Sequence, residues 1–170
     1  MPVFAHLMRK PDLIIGPRDN PQTIRWHWLK AFGFQFALHK WLRSDSDRTP
    51  HDHKADNVSI ILSPQGYWEL VREWYDTPRG GDPYCTVSRR WYYDRWHFRK
   101  PWRIYFRKAE TLHRVKLCDT RSVWTIWIRW PERREWGYWC DGKGWVHNRD
   151  YNKQTDYYRE GVSEVGQGCD

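Results

Sequence analysis

Between Phe32 and Cys140 the chain breaks again and again into short runs of alternating apolar and polar residues, each closed by turn-forming residues. Phe32, Phe34, Phe36 and Leu38 alternate with Gly33, Gln35, Ala37 and His39, the period-2 pattern that sets successive side chains on opposite faces of a strand. Further strands are predicted over residues 58–62, 67–75, 89–98, 103–107, 113–117, 123–130 and 136–140. Ser63-Pro64-Gln65-Gly66 reads as a tight turn and 78–83 as a loop. Lys100-Pro101, Asp119-Thr120, Pro131-Glu132 and Asp141-Gly142 punctuate the remainder. Many short strands at regular spacing predict an all-β sandwich or barrel. Fourteen Trp and ten Tyr, within an aromatic content of 18%, favour the same class, because aromatic side chains suit a half-buried pleated surface.

Upstream, Asn20-Pro21 reads as a helix start, with Asn as cap and Pro in the first turn. A short N-terminal helix is therefore predicted over 22–31. The organisation expected is an N-terminal segment (1–31), one β-barrel domain (32–151) and a polar C-terminal tail (152–170). The length of 170 residues suits one domain with a core of its own. Net charge is +8, with Lys and Arg spread along the chain, which favours acidic small molecules, nucleotides or nucleic acid as partners. The four cysteines, Cys85, Cys118, Cys140 and Cys169, form no CxxC pair. Residues 1–10 lack a sustained apolar stretch, and no apolar run is long enough to span a bilayer. A cytoplasmic protein with reduced thiols and no membrane partner is the expectation.

The sharpest local feature is His51-Asp52-His53, just ahead of the apolar strand at Val58. Histidines at i and i+2 of an extended chain point to one face, so their imidazoles can converge on one metal ion. About sixty residues on, His113 opens another strand and is the expected third ligand. Three neutral imidazoles suit a divalent transition metal such as Fe, Zn, Ni or Mn. Occupancy should then fall below about pH 6.5, where free histidine protonates. Arg107 shares the parity of His113 and is the expected clamp for a carboxylate or phosphate. Tyr67 and Glu69, on the strand after the Gly66 turn, and Trp136 are further pocket residues. Asp56 faces away from His53 by simple alternation and would reach in only through a bulge. His6, His27, His39, His97 and His147 have no partner spacing and are read as packing or surface residues.

This order of HxH, strand, glycine turn, strand, long loop and distant histidine resembles the two-motif pattern of cupins. Aligned on His51 and His53, Asp45 stands where the first motif opens with glycine, and Asn57 or Val58 stands where it carries glutamate. Aligned on His113, Trp102 and Glu110 stand at glycines, Lys108 at a proline and Leu117 at an asparagine. The stretches Arg43-Ser-Asp-Ser-Asp-Arg-Thr-Pro-His-Asp-His53, Asn57-Val-Ser-Ile-Ile-Leu62, His113-Arg-Val115 and Arg134-Glu-Trp-Gly-Tyr-Trp139 also look like a group of small cupin-fold proteins in phages and bacteria that have no assigned reaction. The resemblance implies a double-stranded β-helix, or jelly roll, holding a three-histidine metal site with the usual glutamate missing.

Three functions are compatible with these residues. One is a metalloenzyme of oxygenase, isomerase or lyase type acting on an anionic small molecule, with the metal as cofactor. A second is a non-catalytic protein that sequesters a nucleotide-like anion, with Trp and Tyr for stacking. The third is nucleic-acid binding, which rests on charge alone, since no recognition motif is visible. A homodimer is compatible with each.

Overall fold

The computed structural model describes residues 10–16, 20–45, 49–78, 88–151 and 169. Among the described residues there are eleven strands: β1 (Leu13–Ile15), β2 (Thr23–Ala31), β3 (Phe34–Trp41), β4 (Asn57–Ile61), β5 (Tyr67–Pro78), β6 (Ser88–Arg99), β7 (Ile104–Arg107), β8 (His113–Leu117), β9 (Val123–Arg129), β10 (Gly137–Cys140) and β11 (Gly144–His147). A single helical turn, α1 (Asn148–Tyr151), follows. No helix among the described residues is long and apolar enough to cross a membrane.

The strands pair antiparallel in two sheets. The first runs β1-β2-β3-β9-β4-β7. The second runs β6-β5-β8 and continues through His51, which bridges both His113 on β8 and Tyr138 on β10, to β11. Followed along the sequence, β3, the His51 segment, β4 and β5 alternate between the sheets, as do β6, β7, β8, β9 and β10. That alternation, with β3-β9-β4-β7 facing the His51 segment, β8, β5 and β6, is the jelly-roll connectivity of a cupin-type double-stranded β-helix.

The predicted N-terminal helix is a strand. Residues 23–31 form β2, which pairs with β3 from Thr23↔Trp41 to Ala31↔Phe34, and β1 extends the same sheet. The Asn-Pro signal marks the entry to a strand, and the β-branched and aromatic residues Ile24, Trp26 and Trp28 follow period 2. Sequence alternation also starts β3 two residues early. Phe32 and Gly33 both have positive φ, +50° and +80°, as a two-residue hairpin turn requires, and Phe32 is 96% exposed.

Elsewhere the turns fall where expected. Gly66 closes the β4–β5 turn at φ +60°, where a Cβ would meet the Arg99 carbonyl oxygen at 2.4 Å. Pro78 ends β5, while the rest of the 78–83 loop lies outside the described residues, as does the 152–170 tail apart from Cys169. Ile61, Tyr67, Val115, Leu117 and Val123 fill one end of the barrel, flanked by Trp41 and Tyr105. Asp45 ties the sheets together there: its carboxylate accepts from the Val115 amide at 2.6 Å and from Gln22. A smaller cluster of Tyr138, Cys140 and Tyr151 packs under β10, with the Tyr138 and Tyr151 rings stacked 3.8 Å apart.

The expectation of reduced thiols is corrected at this cluster, because Cys140 and Cys169 form a disulfide across 29 residues. Among the described residues Cys118 is free. A loop of that length is worth about 3–4 kcal/mol in chain entropy. Non-reducing peptide mapping is therefore expected to recover Cys140 and Cys169 in one linked species, and reduction to lower the melting temperature. Recovery of the two as separate thiol peptides from freshly purified protein would contradict the pairing.

Candidate metal centre and cavity

The His51 segment lies directly beside β8. The His51 amide donates to the His113 carbonyl at 3.0 Å, and the His113 amide donates to the His51 carbonyl at 2.9 Å. Two residues paired in this way project to the same side, and His53, two further along, joins them. The three ring centroids lie 4.9–5.3 Å apart. One ring nitrogen from each of His51, His53 and His113 falls within 4.8 Å of the others, so the group can hold a metal ion. Asp52 points to the opposite face. There it is buried and accepts from the Gly137 amide at 2.7 Å, Trp145 Nε1 at 2.9 Å and Arg134. The HxH segment is thus pinned to β10 and β11 by the residue between its histidines.

Behind His113 sits Glu69, which is fully buried. Its Oε1 lies 2.6 Å from His113 Nδ1 and also accepts from Arg107 Nε; its Oε2 accepts from Arg99. Burial alone would push the Glu69 carboxyl upward. The Arg107 charge and the hydrogen bonds from His113 and Arg107 outweigh it and hold the group well below the usual carboxylate range. An ionised Glu69 is an acceptor only, so Nδ1 of His113 carries the proton and Nε2 presents its lone pair to the centre. Burial lowers His113, offset in part by Glu69, and holds His53 well below the ordinary histidine value with help from the neighbouring His113 and His51.

The donor set suits a first-row transition metal on three grounds. His53 Nε2 and His113 Nε2 lie 2.6 Å apart, a hydrogen-bond separation from which a small outward shift of the two rings would admit a common ion. His51 Nδ1 is buried with no hydrogen-bond partner. His53 and His113, held below the ordinary histidine value, are also in the neutral ligand form.

A cavity of about 310 Å³ lies between the sheets and is lined by all three histidines together with Tyr67, Arg107 and Trp136. Trp136 also sets its ring edge against His51 at 6.2 Å. The clamp expected of Arg107 meets a different environment. The side chain turns inward, but Nε goes to Glu69, Nη1 to Ser59 Oγ at 3.1 Å and Nη2 to Tyr67 Oη at 2.9 Å, so every nitrogen has a partner within the protein. Glu69 lies behind His113 and is not among the cavity-lining residues.

Asp56 stays outside as well. With no bulge at the start of β4, its carboxylate accepts from the Ala109 amide at 2.7 Å and from Arg133 at 2.8 Å. Sequence reasoning passed over His39, Asn57, Trp127 and Arg129, which line the cavity from the first sheet. For Asn57 the one signal is its position where cupins carry glutamate; for the rest it is parity, which cannot be assigned until the sheets are paired.

No family model matches the chain, and no curated protein matches it. Among solved structures it is similar to a cupin superfamily protein from Desulfitobacterium hafniense, at 15% identity over 65% of this chain and 79% of that one, with a TM-score of 0.38. KdgF from Halomonas sp. matches at 18% identity over 66% and 81%, also with a TM-score of 0.38. Hydroxypropylphosphonic acid epoxidase from S. wedmorenis matches at 12% identity over 72% of this chain, with a TM-score of 0.41, and the chain spans 58% of that protein. The jelly-roll assignment stands on the strand pairing itself.

Two outcomes follow from the geometry. Glu69→Gln removes the carboxylate facing a buried guanidinium and is expected to cost about 3–5 kcal/mol in urea denaturation; an unchanged midpoint would contradict the network. The second concerns pH. His39, held well below the ordinary value by burial, joins His53 and His113 as a histidine kept neutral in the fold. In the unfolded chain each titrates near pH 6.5. Below that value the unfolded state takes up protons that the folded state refuses, so stability of the metal-free protein falls as pH drops from about 6.5. The same depression moves proton-driven loss of metal below the pH of 6.5 expected from free histidine. Thermal melts in chelator between about pH 7.5 and about pH 5 test the sign, and a level profile would refute it.

Proposed function

We propose that this chain is a metal-binding cupin whose three-histidine centre acts on an anionic small molecule held in the adjoining cavity. The observation that carries this reading is the convergence of His51, His53 and His113 at the cavity wall, with His113 oriented by an ionised, buried Glu69. His51 and His53 are held by strand pairing, and His113 by the carboxylate behind it. Arg107 keeps that carboxylate charged, and Tyr67 serves Arg107 in turn. Burial raises the Tyr67 hydroxyl, so it stays protonated. A divalent metal, when bound, supplies Lewis acidity at a position left open by the three ligands. The protein's own part is to fix the ligands and to keep His53 and His113 neutral. Cations outnumber acids around the cavity: Arg25, Lys54, Arg107 and Arg129 against Asp45 and Glu132. That balance favours an anion.

Elemental analysis of protein purified without a metal-affinity tag is expected to find a transition metal in stoichiometric amount. His51→Ala, His53→Ala and His113→Ala should each bring it close to zero with the circular dichroism of the fold retained. Full metal content in His113→Ala would overturn the ligand set. Glu69→Asp, which keeps the charge but withdraws it from Nδ1, should weaken metal affinity by about 10–100-fold.

A further inference from the structure

Three adjacent strands of the first sheet place Arg129, Asn57 and Arg107 side by side on one rung, through the pairs Asn57↔Arg129 and Asn57↔Arg107, and all three line the cavity. Arg107 is consumed by Glu69, Ser59 and Tyr67. Its neighbours are not. Nδ2 of Asn57 is a buried donor with no partner, on a side chain only 2% exposed. Nε of Arg129 is likewise buried without a partner, although Nη1 of the same guanidinium reaches Glu132 at 2.5 Å. Further along the same face, on the rung where His39 pairs with Thr125, Nε2 of His39 is also buried and unpartnered.

A buried donor left unmade costs about 1–3 kcal/mol. Two on a single rung, with an unpartnered imidazole nitrogen further along the face and a net-positive lining, make a recognition surface with its acceptor still to come. The far end of the same sheet also offers apolar side chains. Leu13, Ile15 and Trp41 line the cavity at the β1 end of the sheet with apolar side chains.

We infer that the ligand of this cavity is an organic anion whose carboxylate or phosphate accepts from Asn57 Nδ2 and Arg129 Nε, with an apolar body turned toward Leu13, Ile15 and Trp41. This deepens the proposed function and rests on the same cavity. It assigns the anion contact to Arg129 and Asn57, leaving Arg107 as the residue that positions Glu69. Glu132 also lines the cavity, but Lys54 at 3.5 Å and Arg129 share its charge. His39 is held neutral by burial and by the Arg25 charge, so it contributes a hydrogen bond rather than a charge.

Calorimetric titration of chelator-treated protein with benzoate, phenyl phosphate and acetate tests this, while elemental analysis of untreated samples follows the metal separately. Benzoate or phenyl phosphate should bind saturably, and acetate more weakly, since it lacks the apolar body. Arg129→Gln and Asn57→Ala should each weaken binding by about ten- to a hundredfold while metal content and fold stay as in the parent. Neither variant should lower the melting temperature of the ligand-free protein by more than about 2 °C, because Asn57 Nδ2 and Arg129 Nε have no partner and the Arg129–Glu132 pair that Arg129→Gln also removes is solvent-exposed on its carboxylate side; a merely structural role would show as a larger loss.

Unchanged affinity in both variants would overturn the assignment, as would no saturable binding of benzoate or phenyl phosphate to the parent. Acetate matching benzoate would overturn the apolar half. Loss of the metal reading would appear instead as parent protein without metal and with anion binding intact.

Discussion

The buried carboxylate of Glu69 is the interaction on which the site depends. It sits on β5 in the second sheet and takes hydrogen bonds from Arg107 of β7 in the first sheet, from Arg99 of β6 and from His113 of β8. One ionised group thus joins the two halves of the jelly roll and fixes the tautomer of a proposed ligand. Its burial would be prohibitive alone. With a guanidinium on one oxygen and a second on the other, the charge is retained, and the protein gains a fixed point around which the cavity is built.

That arrangement separates two tasks that a single arginine might have combined. Arg107 belongs to the framework because each of its three nitrogens has a partner within the protein. The remaining polar groups of the first sheet, Arg129, Asn57 and His39, are framed by neighbours but not satisfied by them. A polar inner face is unusual for a sheet that encloses a core. Here the inner face of the first sheet carries Arg25, His39, Thr125, Ser59, Asn57 and Arg129, while Val58, Ile60, Ile126 and Ile128 of the same strands turn outward. Apolar packing gathers instead around Ile61, Tyr67, Val115, Leu117 and Val123, and in the smaller cluster of Tyr138, Cys140 and Tyr151.

Much of the three-histidine cluster was legible because it depends on local spacing. His51 and His53 share a face by strand periodicity alone, and His113 could be proposed from its distance along the chain. Asp56, expected in the pocket only by way of a bulge, is not among the cavity-lining residues, because β4 pairs without a register shift and alternation turns the side chain away from His53. The N-terminal strand was misread because Asn-Pro is a boundary signal that serves helices and strands alike. Its pairing with β3, which decides between them, is a non-local fact.

Taken by itself, the sequence determined the class of fold, the turn at Gly66 and the shared face of the two HxH histidines. These follow from backbone sterics and period-2 geometry acting over a few residues. The tertiary structure decided which face of each strand looks inward, and therefore that His39, Asn57 and Arg129 line the cavity while Phe36 and Leu38 do not. It also decided that Arg107 is spent on Glu69 and that Cys140 meets Cys169. Such assignments depend on sheet register, which pairs residues tens of positions apart, and a period of two cannot say which of its two faces will be enclosed.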